Sequence, residues 1–173
     1  GFDLPIERVL HTDCPLYYRF GWDGESEAEF VARIVQSLRE LIEREGGDTI
    51  AAMIAEPVMG AGGVIVPPQG YYAAIKEVLD EHDIFLIDDE VINGFGRTGN
   101  WWGCQTLGMT PKTMSAAKQM TSAYAPLGAV MVPQDIYDAY VDQTSKIGTF
   151  GHGFTYGGHP RGCALGVKVC DLY

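Results

Sequence analysis

The chain has 173 residues, of which 46% are hydrophobic and 11% aromatic, which is enough for one domain with an apolar core. Its 23 acidic and 12 basic residues give a net charge of -11, which repels phosphate backbones and anionic bilayers and argues against nucleic-acid or membrane partners. No apolar run approaches the ~18 residues of a bilayer span, no signal-peptide pattern opens the chain, and Cys14, Cys104, Cys163 and Cys170 form no CxxC pair, so a soluble protein of the reducing cytoplasm is expected.

Helix signals agree over residues 26–45. Ser26 and Glu29 have capping-box spacing, Phe30, Val31, Ile34, Val35, Leu38, Leu41 and Ile42 recur at helical period, and Gly46-Gly47 supplies the stop. Residues 50–55 form a short apolar run of the kind found in strands buried on both faces, ending on Glu56-Pro57. A glycine loop at Gly60, Gly62 and Gly63 leads to a helix predicted over 69–81 and a buried strand over 84–87. The alternation of helix and strand predicts an α/β fold with a mostly parallel sheet, whose chemistry gathers at the carboxyl ends of the strands. Further strands are predicted at 113–117 and 127–132, a helix at 134–142, a glycine-rich stretch at 148–158, and the start of a buried helix around Ala164, Leu165, Val167 and Val169. Because that last pattern is interrupted at Tyr173 and the chain opens on Gly1, both ends are expected to be cuts.

Two features stand out at the predicted strand ends. Asp88, Asp89 and Glu90 follow an apolar strand directly, and Gly94, Gly96 and Gly99 come next, permitting close backbone approaches. Solvated carboxylates are the ordinary outcome for such a run. Lys118 closes the small, apolar run Thr113-Met114-Ser115-Ala116-Ala117. A partly buried lysine there would have a lowered pKa, suited to forming a Schiff base, whereas an ordinary lysine would snorkel to water.

The pieces Ala55-Glu56-Pro57, Gly60-Ala61-Gly62-Gly63, Asp89-Glu90-Val91, Gly94-Phe95-Gly96-Arg97-Thr98-Gly99, Ala117-Lys118, Pro126-Leu127-Gly128-Ala129 and His152-Gly153-Phe154-Thr155-Tyr156 together resemble the class III (omega-type) pyridoxal-phosphate aminotransferases. That resemblance implies a fold type I large domain truncated at both ends, with the N-terminal segment and C-terminal small domain missing and residues 1–173 forming a partial cofactor-binding domain. It implies pyridoxal 5'-phosphate as cofactor, with Lys118 as Schiff-base anchor and proton shuttle. Asp89 would pair with the pyridine nitrogen and Val91, two residues on, would pack on the ring face. Thr155 would reach the cofactor phosphate across the interface of a homodimer with a shared active site, and Glu56 would shape the substrate pocket. Arg97 is expected to pair with an acid of the 88–90 run, and His152 and His159 to be structural; no metal site is expected. An omega-amino acid or amine as donor and a keto acid, pyruvate above all, as acceptor complete the implied reaction. In a family whose chains are more than twice this length, the isolated piece would have weak or no catalysis.

Two other readings stay open on the residues alone. A Rossmann-like dinucleotide binder would use Gly60, Gly62 and Gly63, although the third spaced glycine and the distant acid of that fingerprint are missing. A non-catalytic fragment or structural homologue would keep the sheet and do no chemistry.

Overall fold

The structure is a computed structural model that describes residues 6–173. A short helix, α1 (Tyr17–Phe20), precedes the long helix α2 (Glu27–Glu45). The capping box forms: the Glu29 amide donates to Ser26 Oγ at 3.3 Å and the Ser26 amide to Glu29 Oε2 at 2.8 Å. Strand β1 (Ala52–Ala55), helix α3 (Tyr71–Glu81) and strand β2 (Phe85–Asp89) follow. Next come α4 (Gly103–Leu107), β3 (Thr113–Ala116), β4 (Ala129–Met131), α5 (Gln134–Ile147) and α6 (Pro160–Cys170).

The sheet runs in the order β1-β2-β3-β4. The first three strands are parallel and β4 pairs antiparallel with β3. Helices α2 and α3 cover one face: Phe30, Ile34, Leu38 and Ile42 interlock with Tyr72, Ile75, Val78 and Leu79, and Leu86, Met53, Ala55 and Met114 meet them from the sheet. Full burial of a Phe, Ile, Leu or Val side chain among these stabilises the fold by about 1.5–3 kcal/mol before entropy is counted.

β1 differs from the sequence expectation. It lies at the sheet edge, and Ile54 on its second face is 62% exposed, so the strand is covered on one side only. Both helices that flank β1 in sequence pack on the same face, which an apolar run read by itself cannot reveal. The final helix also departs: of the apolar positions that marked it, only Val169 is buried, and Val167 is exposed. Helix α6 packs instead through its glycines, with Gly162 close to the Pro126 carbonyl and Gly166 against Leu127. Among the described residues, no helix is long and apolar enough to cross a membrane.

Candidate functional site at the carboxyl ends of the central strands

Strand alternation sorts the acids of β2 onto opposite faces. Leu86 and Asp88 point into the helix-covered core, where both are buried. Asp89 points to the other face, in register with Ser115 of the neighbouring parallel strand. Its Oδ1 accepts from the Val91 amide at 3.1 Å and from Ser115 Oγ at 3.3 Å. Both bonds end on Oδ1, so Oδ2 is the oxygen that remains for a ligand.

Three residues beyond Ser115, past the end of β3, the chain reaches Lys118. Its backbone is left-handed, with φ of +44°, and it opens a one-turn 3₁₀ segment over Lys118–Thr121. Such a φ is uncommon for a residue with a side chain and is concentrated at functional or tightly constrained positions. Ser122 and Ala123 are also left-handed, at +49° and +65°, and the hydroxyl of buried Thr121 donates to the Ala125 carbonyl and closes the loop. The Lys118 side chain is exposed rather than partly buried, because the apolar run before it ends with the strand. Asp89 and Lys118 therefore leave from the same ends of adjacent parallel strands.

The segment between them is tightly packed. Glu90, which sequence reasoning left in the solvated run, is fully buried, and its two oxygens accept from the Gly103 amide at 2.9 Å and the Cys104 amide at 2.7 Å. Val91 is not on an extended chain. The strand stops at Asp89 and turns, so the relation of Val91 to Asp89 is a backbone hydrogen bond rather than a shared strand face. Buried Asn93 donates to the Val58 carbonyl at 2.9 Å and was missed from sequence. The glycines here are demanded by close approach: a Cβ on Gly103 would lie 2.7 Å from Asn93 Cβ, and one on Gly60 would lie 2.4 Å from an Ile92 methyl.

Burial, followed by the charge of Glu90, pushes the Asp88 carboxyl up to about 8. Burial, reinforced by Asp88 and Glu90, raises the Cys104 thiol to about 12 and keeps it protonated. Asp88, Glu90 and Cys104 thus form a buried acidic cluster on the helix-covered side of β2.

The remaining candidates lie elsewhere. Glu56 is half-buried and its Oε2 accepts from the Gly60 amide at 2.9 Å, so its carboxylate organises the glycine loop. Of those glycines, Gly60 is required by its packing on Ile92 and Gly63 by its φ of +125°. Thr155 is exposed in a turn before α6. Arg97 is exposed and makes no ion pair with the 88–90 acids among the described residues, since two of those acids are buried and the third faces Ser115. His159 caps α6 by accepting from the Arg161 amide at 3.3 Å, and His152 packs edge-on against Phe150 and Phe154. A groove of about 970 Å³ along β1 and α2 is lined by none of Asp89, Val91, Lys118 or Thr155.

The family model for class-III aminotransferases matches residues 10–172. The chain belongs to the class-III aminotransferase family. It is 51% identical over 172 residues to a probable gamma-aminobutyrate transaminase 3, mitochondrial, of Oryza sativa, covering 99% of this chain and 34% of the rice protein. A gamma aminobutyrate transaminase 3, chloroplastic, of Solanum lycopersicum is 50% identical, with 99% and 33% covered. Among solved structures, an omega transaminase from Pseudomonas jessenii in complex with PMP superposes with a TM-score of 0.96 at 46% identity, covering 99% of this chain and 38% of that one. A transaminase solved with L-ala gives 0.96 at 49% identity, with 99% and 41% covered. The class-III chain thus spans about a third of the length of the curated relatives it matches, and the fold type I assignment holds over all of that span.

Proposed function

We propose that this chain forms one wall of the active site of a pyridoxal-phosphate-dependent aminotransferase, with Lys118 as the covalent anchor and Asp89 as the partner of the cofactor's ring nitrogen. The observation that carries the reading is the placement of these two residues at the carboxyl ends of neighbouring parallel strands, with Asp89 held through one oxygen only. A carboxylate with a free oxygen and an exposed amine, carried at the same ends of neighbouring strands, fit a cofactor that presents a basic ring nitrogen and an aldehyde.

When bound, that cofactor supplies an electron-poor ring able to take up the electron pair left by a breaking Cα–H bond. Asp89, oriented by Ser115 and the Val91 amide, would hold a proton on the ring nitrogen. Lys118 would hold the cofactor through Nζ and, as a free amine once an amino substrate has taken its place, would move the proton from the substrate's Cα to the cofactor's C4′ carbon. Val91 would lie against the ring face. Thr155 would meet the phosphate of a partner subunit in a homodimer, a role supported by the exposure of Tyr137, Tyr140, Phe150, Phe154 and Tyr156 around its segment. Glu56 would border the substrate pocket through the glycine loop that it holds.

For substrates, we infer an omega-amino acid or amine as donor and pyruvate as acceptor. The printed names of the rice and tomato relatives favour gamma-aminobutyrate as donor. A neighbour solved with L-alanine, which is what pyruvate becomes on gaining an amino group, favours that acceptor. A cytoplasmic setting belongs to the same proposal and is tested by localising a tagged protein, since the names of the plant relatives place those proteins in mitochondria or chloroplasts.

Incubation with pyridoxal phosphate should produce a yellow absorbance that borohydride fixes, with the added mass on Lys118 by peptide mapping; Lys118→Ala should abolish both. A fixed adduct on another lysine, or an unchanged band in the variant, would sink the assignment. The non-catalytic alternative predicts no band at all.

A further inference from the structure

Asp88 is a buried acid that the proposed reaction does not use. It is wholly enclosed, and neither of its oxygens has a hydrogen-bond donor among the described residues. An ionised carboxylate in that position would lose its hydration with nothing in return. One oxygen of Asp88, one of Glu90 and the Cys104 sulfur all lie within 4.8 Å of one another. Both oxygens of Glu90 accept backbone N–H groups, which leaves Glu90 the acceptor in a hydrogen bond with Asp88. The groups facing Asp88 are Asp89 and Glu90 from its own segment, the Cys104 thiol from α4 and the Tyr72 phenol from α3, whose hydroxyl donates to the Glu56 carbonyl. None of them is a cation.

We propose that Asp88 is a neutral carboxylic acid that donates its proton to the Glu90 carboxylate, clamping the start of α4 to the end of β2 and leaving Asp89 as the one positioned anion on the open face. The buried pair then carries a single negative charge rather than two, which spares Asp89 a second like charge at its back. Burial and the Glu90 carboxylate raise Asp88 to about 8, in accord with a retained proton. Asp88 is thus a positioning residue for Asp89. That role rests on the proposed function, whereas the proton itself does not.

Infrared spectroscopy of the chain with carbon-13-labelled aspartate tests the proton directly. At neutral pH a carbonyl stretch of a protonated aspartate is expected, fading as pH rises through about 8 and missing from Asp88→Asn. The positioning role is read from pyridoxal phosphate absorbance. Asp88→Asn, whose amide still donates to Glu90, should keep the natural band and its pH profile. Asp88→Leu cannot donate, and should shift the profile and weaken binding by roughly tenfold, the usual scale for one lost buried hydrogen bond. A filler role would make the two variants alike and overturn the proposal, as would a fully ionised aspartate signal at neutral pH or a stoichiometric divalent ion in the purified chain. Should Asp88→Asn fail to fold, Glu90→Gln decides: removal of the neighbouring charge should move the aspartate titration to lower pH, and an unmoved midpoint overturns the pairing. If pyridoxal phosphate does not bind even the natural chain, the proposed function falls and the infrared signal still rules on the proton.

Discussion

A carboxyl whose proton is held more tightly in the fold than in the open chain makes stability depend on pH with a definite sign. Asp88 titrates at about 8 in place of its ordinary 3.8, so between those values the folded chain binds a proton that the unfolded chain has released. Stability is therefore greatest below the unfolded value and falls as pH rises through the interval, by up to ~1.4 kcal/mol per pH unit, before levelling off. Asp88→Asn removes the titrating group. Urea midpoints for the variant should gain on those of the natural chain as pH is raised from about 5 to about 8, with little difference near pH 4. A constant offset across that range would mean that Asp88 is ionised in the fold.

At the scale of elements, the loop from Glu90 to Cys104 behaves as one packed unit, because Glu90, Asn93 and Gly103 each close a gap that the others leave. Gly103→Ala should cost about 1–3 kcal/mol, since its methyl would arrive 2.7 Å from Asn93 Cβ and 2.9 Å from Pro57; thermal melts check this. Ser26→Ala, at the far end of the fold, should cost about 1 kcal/mol by removing the cap of α2 while leaving the pyridoxal phosphate band untouched. Legibility from sequence followed the same divide. Helix α2, its capping box and the strand positions follow from local periodicity and appear where expected. The order of exposed and buried acids in β2 was also available, since Leu86 and Asp88 share a parity, but the run of three carboxylates suggested water. The one-sided burial of β1 depends on where distant helices settle, which no local pattern encodes, and Lys118 is exposed because it lies past the end of β3. Thr155 and Val91 are candidates through family resemblance alone, because neither a lone threonine in a glycine-rich turn nor a valine after acids carries a chemical signal.

Across the whole molecule, apolar surface is unevenly finished. The interface of α2 with α3 is densely packed, whereas helix α5 has no buried residue, and Tyr124, Phe154 and Tyr156 are each more than 80% exposed. Exposed apolar side chains of this size fit the homodimer surface proposed above. Sedimentation of the isolated chain should show association that grows with concentration, and Tyr140→Glu with Phe154→Glu should reduce it; a strict monomer at every concentration would count against a dimer through this surface.

The opposed placement of Asp88 and Asp89 makes the central strand intolerant of frameshift. Sliding β2 by a single position, as a one-residue deletion within it would do, turns its side chains over: the buried acid would face the open side, and Asp89, proposed above to meet the cofactor, would be forced among leucines and tyrosines. Deletions there should be more damaging than any substitution at either aspartate, because one missing residue inverts both assignments at once.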